Sequence, residues 1–205
     1  MLFTYLFINF YKIIESYKSN NCIDLEYIII NPETSYWNNS NIHQIHTTMN
    51  ELLLDIVNCT INIRTIQLET KLLELLSCKS VPTKYLQQLQ KLRTNKLIVL
   101  LVNDIPKHKG CYYDNGPIVM GWNSGYLLTN DLDEMKLRSE TLAHEILHSG
   151  DLEHIKCRNS KHNKYHNNLM FTNDDICFRD RYRTKINNEQ KQKFVSNNKF
   201  IYSCR

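Results

Sequence analysis

One short stretch, TLAHEILHSGDLEH at residues 141–154, constrains this chain more than any other. His144, Glu145 and His148 read H-E-x-x-H, and His154 follows after five further residues. On a helix, positions i and i+4 share a face. His144 and His148 can therefore turn two imidazoles toward one point, with Glu145 beside them. Two nitrogen ligands fixed by a helix, with a carboxylate next to them, is the arrangement that metal-assisted hydrolysis needs. A third ligand must come from elsewhere. His154 can supply it only if the helix ends after His148 and the chain turns back. Gly150 stands where such a stop is expected, because glycine enters the left-handed conformation that ends helices.

The rest of the composition narrows the setting. At 205 residues the chain is long enough for one domain with its own core. Hydrophobic content of 42% and charged content of 22% are those of a globular protein. A net charge of +4, with no concentrated basic run, argues against nucleic acid or an acidic membrane surface as partner. No stretch is a clear membrane span. Seven cysteines without a C-x-x-C pair argue against a structural zinc knuckle and for disulfides in an oxidising compartment, with one thiol left over. Two sequons, at Asn38 and Asn58, are compatible with secretion.

Taken in order, the chain alternates strand and helix signals. Residues 1–14, MLFTYLFINFYKII, suit the hydrophobic part of a secretory signal or an uncleaved anchor. They lack a basic start and a small-residue cleavage site, and a buried first element is the other reading. LEYIIIN (25–31) reads as a buried strand stopped by Asn31-Pro32. Ile45, Met49, Leu52, Leu53 and Ile56 have helical spacing within residues 42–57. INIRTIQLE (61–69) reads as a strand, residues 70–94 as Leu-rich helix broken at Pro82, and KLIVLLVNDI (96–105) as a central strand. Residues 109–122 suggest two short strands around an Asn-Gly turn. The helix with the histidines follows, capped by Asn130 or Asp131. Met170 lies in an apolar pair within a polar loop, and residues 187–202 read as a polar closing helix.

The histidine motif resembles the metzincin signature H-E-x-x-H-x-x-G-x-x-H, with Asp151 at the position of the family's glycine and Gly150 one place early. The order of elements, over residues 23–204, is similar to that of the metzincin zinc endopeptidases, most of all the reprolysin (adamalysin) group. The resemblance implies an α+β fold of three layers, with a mixed twisted sheet of about five strands. It implies an edge strand at KGCYYD that runs antiparallel to a bound substrate, a zinc-binding helix, and a small C-terminal part with a Met-turn and closing helix. The catalytic domain would span 23–205, with lobes 23–150 and 151–205, after a signal, anchor or extension at 1–22.

The same resemblance implies roles for single residues. His144, His148 and His154 would bind one catalytic Zn²⁺, and Glu145 would act as general base. Met170 would be the methionine of the Met-turn. Tyr112, Tyr113, Phe171 and Thr172 would contact substrate. Cys111–Cys204 and Cys157–Cys177 would be disulfides, which leaves Cys59–Cys78 as a further pairing and Cys22 free. The implied partner is a protein or peptide substrate, handled by a secreted or extracellular monomer without nucleic acid. Three other readings remain: a zinc hydrolase of another H-E-x-x-H clan whose third ligand is a distant acid, an inactive secreted binding protein that keeps the fold, and a cytosolic protein without metal.

Overall fold

Two apolar runs without helical periodicity, LEYIII and LIVLLV, have the make-up of strands buried on both faces. A computed structural model describes residues 19–67, 95–105, 110–113, 116–123, 131–155, 167–170 and 185–204. In it these runs lie side by side at the centre of a sheet. β1 (Asn21–Ile30) sits between β2 (Asn58–Ile66) and β3 (Leu97–Val102), all parallel. Beyond β3 come β4 (Gly110–Tyr112) and β5 (Ile118–Gly121), with β5 parallel to β3 and β4 outermost and antiparallel to β5. A two-residue strand, β6 (Tyr202–Ser203), pairs antiparallel with Asn21–Cys22. The sheet is thus the mixed one expected, ordered β2-β1-β3-β5-β4, with β6 added at one end of β1.

Side chains alternate across a strand, and the core divides accordingly. Ile23, Leu25, Tyr27 and Ile29 of β1, Val99 and Leu101 of β3, and Ile118 and Met120 of β5 belong to the larger cluster. Ile28, Ile30, Leu100, Val102 and Val119 form a smaller one on the opposite face. Two helices cover the larger cluster: α1 (Asn39–Leu53) and α2 (Asp131–His148), which also pack on each other. Their contributions recur at helical spacing: Ile42, Ile45, Met49 and Leu53 from α1, and Leu142, Ala143, Ile146 and Leu147 from α2. Each of the Ile, Leu and Met side chains, fully buried, contributes roughly 1.5–3 kcal/mol. α3 (Asn188–Asn197) adds Phe194 to the same core. α1 and α3 both begin with reciprocal capping boxes, Asn38 with Asn41 and Asn187 with Gln190. The Leu-rich stretch 70–94, the first 18 residues and the cap at Asn130 lie outside the described residues. No helix among the described residues is long and apolar enough to cross a membrane.

The cysteine framework differs from the one the reprolysin resemblance implies. Cys204 is bonded to Cys22, not to Cys111. The reason is topological. β6 pairs with the start of β1, so Cys22 and Cys204 are brought to a Cα separation of 5.2 Å. Cys111 lies on β4, three strands from β1, or about 14 Å at the usual strand spacing, beyond the ~7 Å limit of a disulfide. Cys111 is disulfide-bonded nonetheless. Cys59 is a free buried thiol, so neither a Cys59–Cys78 bridge nor a free Cys22 holds. Cys157 and Cys177 lie outside the described residues.

Cys59 belongs to a buried polar network that ties α1 to the sheet. The Tyr27 hydroxyl is 2.9 Å from His46 Nδ1, and His46 Nε2 is 3.1 Å from the Cys59 carbonyl. A carbonyl only accepts, so Nε2 carries the proton and Nδ1 accepts from tyrosine. Burial pushes the Cys59 thiol up to about 12 and the Tyr27 hydroxyl well above its ordinary value. Burial also holds His46 below its ordinary value of 6.5, against the opposing pull of the Cys59 carbonyl. The unfolded chain therefore takes up a proton at His46 that the folded chain resists. Stability is full above pH ~6.5 and declines as pH falls below it. His46→Gln should flatten that decline between pH 7 and 5 in urea titrations; an unchanged slope would mean that His46 charges freely in the fold.

Candidate metal centre

α2 is anchored at both ends before it presents any ligand. In its first half, fully buried Arg138 pairs with Glu134 one turn earlier, and its Nη1 donates to the Gly121 carbonyl at 3.2 Å. Its guanidinium lies 4.0 Å from the Trp122 ring centroid and 5.7 Å from that of Trp37. Trp37 in turn donates from Nε1 to the Val102 carbonyl at 2.7 Å. Charge and aromatic faces thus fasten α2 to the C-terminal ends of β3 and β5. Glu134 and Arg138 stand four apart and are visible as a helix pair in the sequence; the two tryptophans give no such signal.

The second half carries the motif. Leu142, Ala143, Ile146 and Leu147 face the core, which leaves His144, Glu145 and His148 on the other side. His144 and Glu145 are buried, His148 is half-buried and His154 is exposed. Helix α2 then ends in a tight turn. Ser149, Gly150 and Asp151 donate from their backbone N–H groups to the carbonyls of Ile146, Leu147 and His148. The left-handed residue is Asp151, with φ 61°, and not Gly150. Gly150 is needed for a different reason. A Cβ there would lie 2.5 Å from Phe194 Cδ2 and 2.8 Å from the Phe194 carbonyl oxygen. Asp151, at the position of the signature's glycine, thus takes the left-handed conformation, and Gly150 one place earlier lets α3 approach.

This turn delivers His154. The Nε2 atoms of the three histidines form a near-equilateral triangle: 3.1 Å for His144–His148, 3.0 Å for His144–His154 and 3.0 Å for His148–His154. The opposite ring nitrogens explain their state. His144 Nδ1 lies 2.6 Å from the Leu169 carbonyl, and His148 Nδ1 lies 2.6 Å from the Leu152 carbonyl. Both must donate, so both carry their proton on Nδ1 in the neutral ring and turn a bare lone pair inward from Nε2. Two such lone pairs 3.1 Å apart repel each other unless a positive charge lies between them. The triangle suits nitrogen ligands about 2.0–2.1 Å from a shared zinc ion. Among the described residues this is the one group of three or more His, Cys, Asp or Glu able to hold a metal ion.

The carbonyl at Leu169 belongs to the segment 167–170, where Leu169 and Met170 are fully buried in the main core. The Met170 carbonyl accepts from the N–H of Ile155, immediately after His154, at 2.8 Å. The methionine picked out from the sequence is therefore tied to the ligand loop. Beside Glu145 runs β4. A Cβ on Gly110 would meet Met120 Sδ at 2.8 Å, Thr141 Cγ2 at 3.0 Å and Glu145 Cγ at 3.2 Å. Tyr112 shares the helix-covered face with Gly110. Tyr113 does not: it packs into the smaller cluster on the opposite face, and burial pushes its hydroxyl up to about 12. Phe171 and Thr172 lie outside the described residues. The carbonyls of Leu152 and Leu169 escaped the sequence reading, since any residue supplies a carbonyl.

No protein-family model matches the sequence, and no curated protein matches it significantly. Solved structures do match. An archaemetzincin from Methanopyrus kandleri aligns with a TM-score of 0.57 and 12% identity, covering 85% of this chain and 94% of that one. The metalloproteinase-II of Bacteroides fragilis aligns with a TM-score of 0.51 and 13% identity, covering 87% of this chain and 54% of that one. The chain therefore shares its fold with these two proteins, and the likeness does not single out the reprolysin group.

The two turn residues make opposite predictions. Gly150→Ala should destabilise the protein by about 2–3 kcal/mol through overpacking against Phe194. Asp151→Gly should be neutral or stabilising by up to about 1 kcal/mol, because it removes a left-handed non-glycine residue. Urea denaturation of both variants tests this; the reverse ranking would contradict the assigned turn.

Proposed function

We propose that the chain is a zinc-dependent endopeptidase. The observation that carries this reading is the convergence of three Nε2 atoms, two of them committed to the lone-pair form by backbone carbonyls. His144, His148 and His154 would hold the ion as neutral ligands. Zinc bound there supplies Lewis-acid activation of water and of the scissile carbonyl. Glu145, next to His144 and buried against Gly110, takes the proton from the attacking water and passes it to the leaving amine. No side chain is acylated, so hydrolysis needs no covalent intermediate with the protein. An extended substrate would lie along β4, with Tyr112 on the helix-covered side. Phe171 and Thr172, which follow Met170, would line the pocket for the side chain after the cleaved bond.

Three observations favour this reading over its rivals. A distant acid as third ligand is unnecessary when His154 stands 3.0 Å from both other nitrogens. Asp151, one of the grounds for the inactive-binder reading, adopts the left-handed turn with φ 61°, which supports an intact ligand loop. The Cys22–Cys204 disulfide favours an oxidising, extracellular setting for the enzyme.

Two variants separate the roles. Glu145→Ala should keep its zinc and its melting temperature and lose at least about 100-fold in peptide hydrolysis. His154→Ala should lose zinc affinity and activity together. Hydrolysis by Glu145→Ala at the wild-type rate would remove Glu145 as the base, and unaltered zinc affinity in His154→Ala would return the third ligand to another residue.

A further inference from the structure

The Leu169 carbonyl can orient His144 only if the short segment around it is itself held. Its backbone is fixed by Lys185: Leu169 N–H donates to the Lys185 carbonyl at 2.7 Å, and Lys185 N–H donates to the Asn167 carbonyl at 3.1 Å. Its bend is fixed by Asn168, a buried side chain whose Oδ1 accepts from the Met170 N–H two residues on, at 2.9 Å. That bond dictates which way the amide faces, because a backbone N–H only donates. Asn168 Nδ2 must then point away from Met170, and it meets Gln190 Oε1 at 2.8 Å. Gln190 Nε2 returns toward Asn168 Oδ1 at 3.4 Å. The Gln190 amide is fixed by the same logic, since its Oε1 also accepts the Asn187 N–H at 2.9 Å.

Gln190 therefore has two tasks. It completes the capping box of α3, and it clasps the asparagine that bends the turn beneath His144. We propose that Gln190 is a positioning residue for the metal centre, acting through Asn168 and the Leu169 carbonyl on the orientation and tautomer of His144. This rests on the metal-site reading above. It makes α3 more than a closing element: the first turn sets one ligand, and nothing in the cap itself requires that. A helix cap alone would need only the contact between Gln190 and Asn187. Partners of this kind behind a metal ligand commonly change metal affinity by about 10–100-fold when removed.

A matched pair of variants separates positioning from capping. Asn187→Ala removes the bond that the Gln190 N–H donates to Asn187 Oδ1, 2.8 Å, without removing the side chain that meets Asn168. Gln190→Met keeps the length of the side chain and removes both tasks. Gln190→Glu keeps an acceptor for Asn187 and for Asn168 Nδ2, and serves as the rescue. Zinc affinity, read by chelator competition on the full chain, should fall about tenfold or more in Gln190→Met, stay at the wild-type value in Asn187→Ala and return in Gln190→Glu. In the metal-free protein, the His144 Nδ1–H proton should exchange with water faster in Gln190→Met than in wild type or Asn187→Ala, by NMR with labelled histidine. Equal zinc affinity and equal exchange in Gln190→Met and Asn187→Ala would overturn the proposal. Failure of wild type to take up zinc would instead overturn the metal-site reading, and the exchange measurement would still decide the role of Gln190.

Discussion

The Leu152 and Leu169 carbonyls each accept a hydrogen bond from a histidine Nδ1–H at 2.6 Å, and the orientation of the site follows from those two bonds. With the outer nitrogens committed as donors, the inner ones of the neutral rings offer lone pairs. Their crowding to 3.1 Å between His144 and His148 is tolerable in the presence of a cation and repulsive without one. Each carbonyl belongs to a segment fastened elsewhere. Leu152 is buried after the left-handed Asp151, and Leu169 is buried between the Lys185 bridge and the core. A neutral imidazole held this way presents Nε2 in the form a metal needs.

Supporting elements converge on the same point from three sides. The sheet and α1 bury the apolar stripe of α2 and thereby aim His144 and His148 away from the core. The Arg138 cluster prevents α2 from sliding along its own axis, since Arg138 reaches both Gly121 and the tryptophan faces. α3 closes the third side. Phe194 approaches the helix end through the gap left by Gly150, while Asn198 Nδ2 donates to Ser149 Oγ at 2.7 Å. Past α3, the chain is pinned to the first strand by β6 and the Cys22–Cys204 bridge. A disulfide between residues 182 apart constrains the unfolded chain strongly.

Much of this was legible in the residues. Strand-length apolar runs at 25–31 and 96–105 became β1 and β3, and the stripe from Ile45 to Leu53 became the buried face of α1. The H-E-x-x-H spacing and the later His154 predicted which side chains meet, because i and i+4 geometry is a property of the helix alone. What stayed hidden depends on contacts between distant segments. β1 begins at Asn21, before its apolar stretch, because β2 and β6 pair with those polar residues. β6 itself has two residues and no periodicity to detect. Disulfide partners follow from strand order, which spacing does not encode, and the family resemblance pointed to Cys111 where the sheet selects Cys22. Propensity points to Gly150 for the left-handed turn, yet its lack of a side chain serves the approach of Phe194, and Asp151 takes the turn.

The central claim is that three imidazoles, and no thiolate, hold one zinc ion. Zinc K-edge X-ray absorption on the purified, unchelated protein measures this directly. The account predicts one zinc per chain with three imidazole nitrogens at about 2.0–2.1 Å, a remaining light-atom ligand, and no sulfur shell. A sulfur scatterer near ~2.3 Å, fewer than three imidazoles, or a protein that takes up no zinc would contradict it.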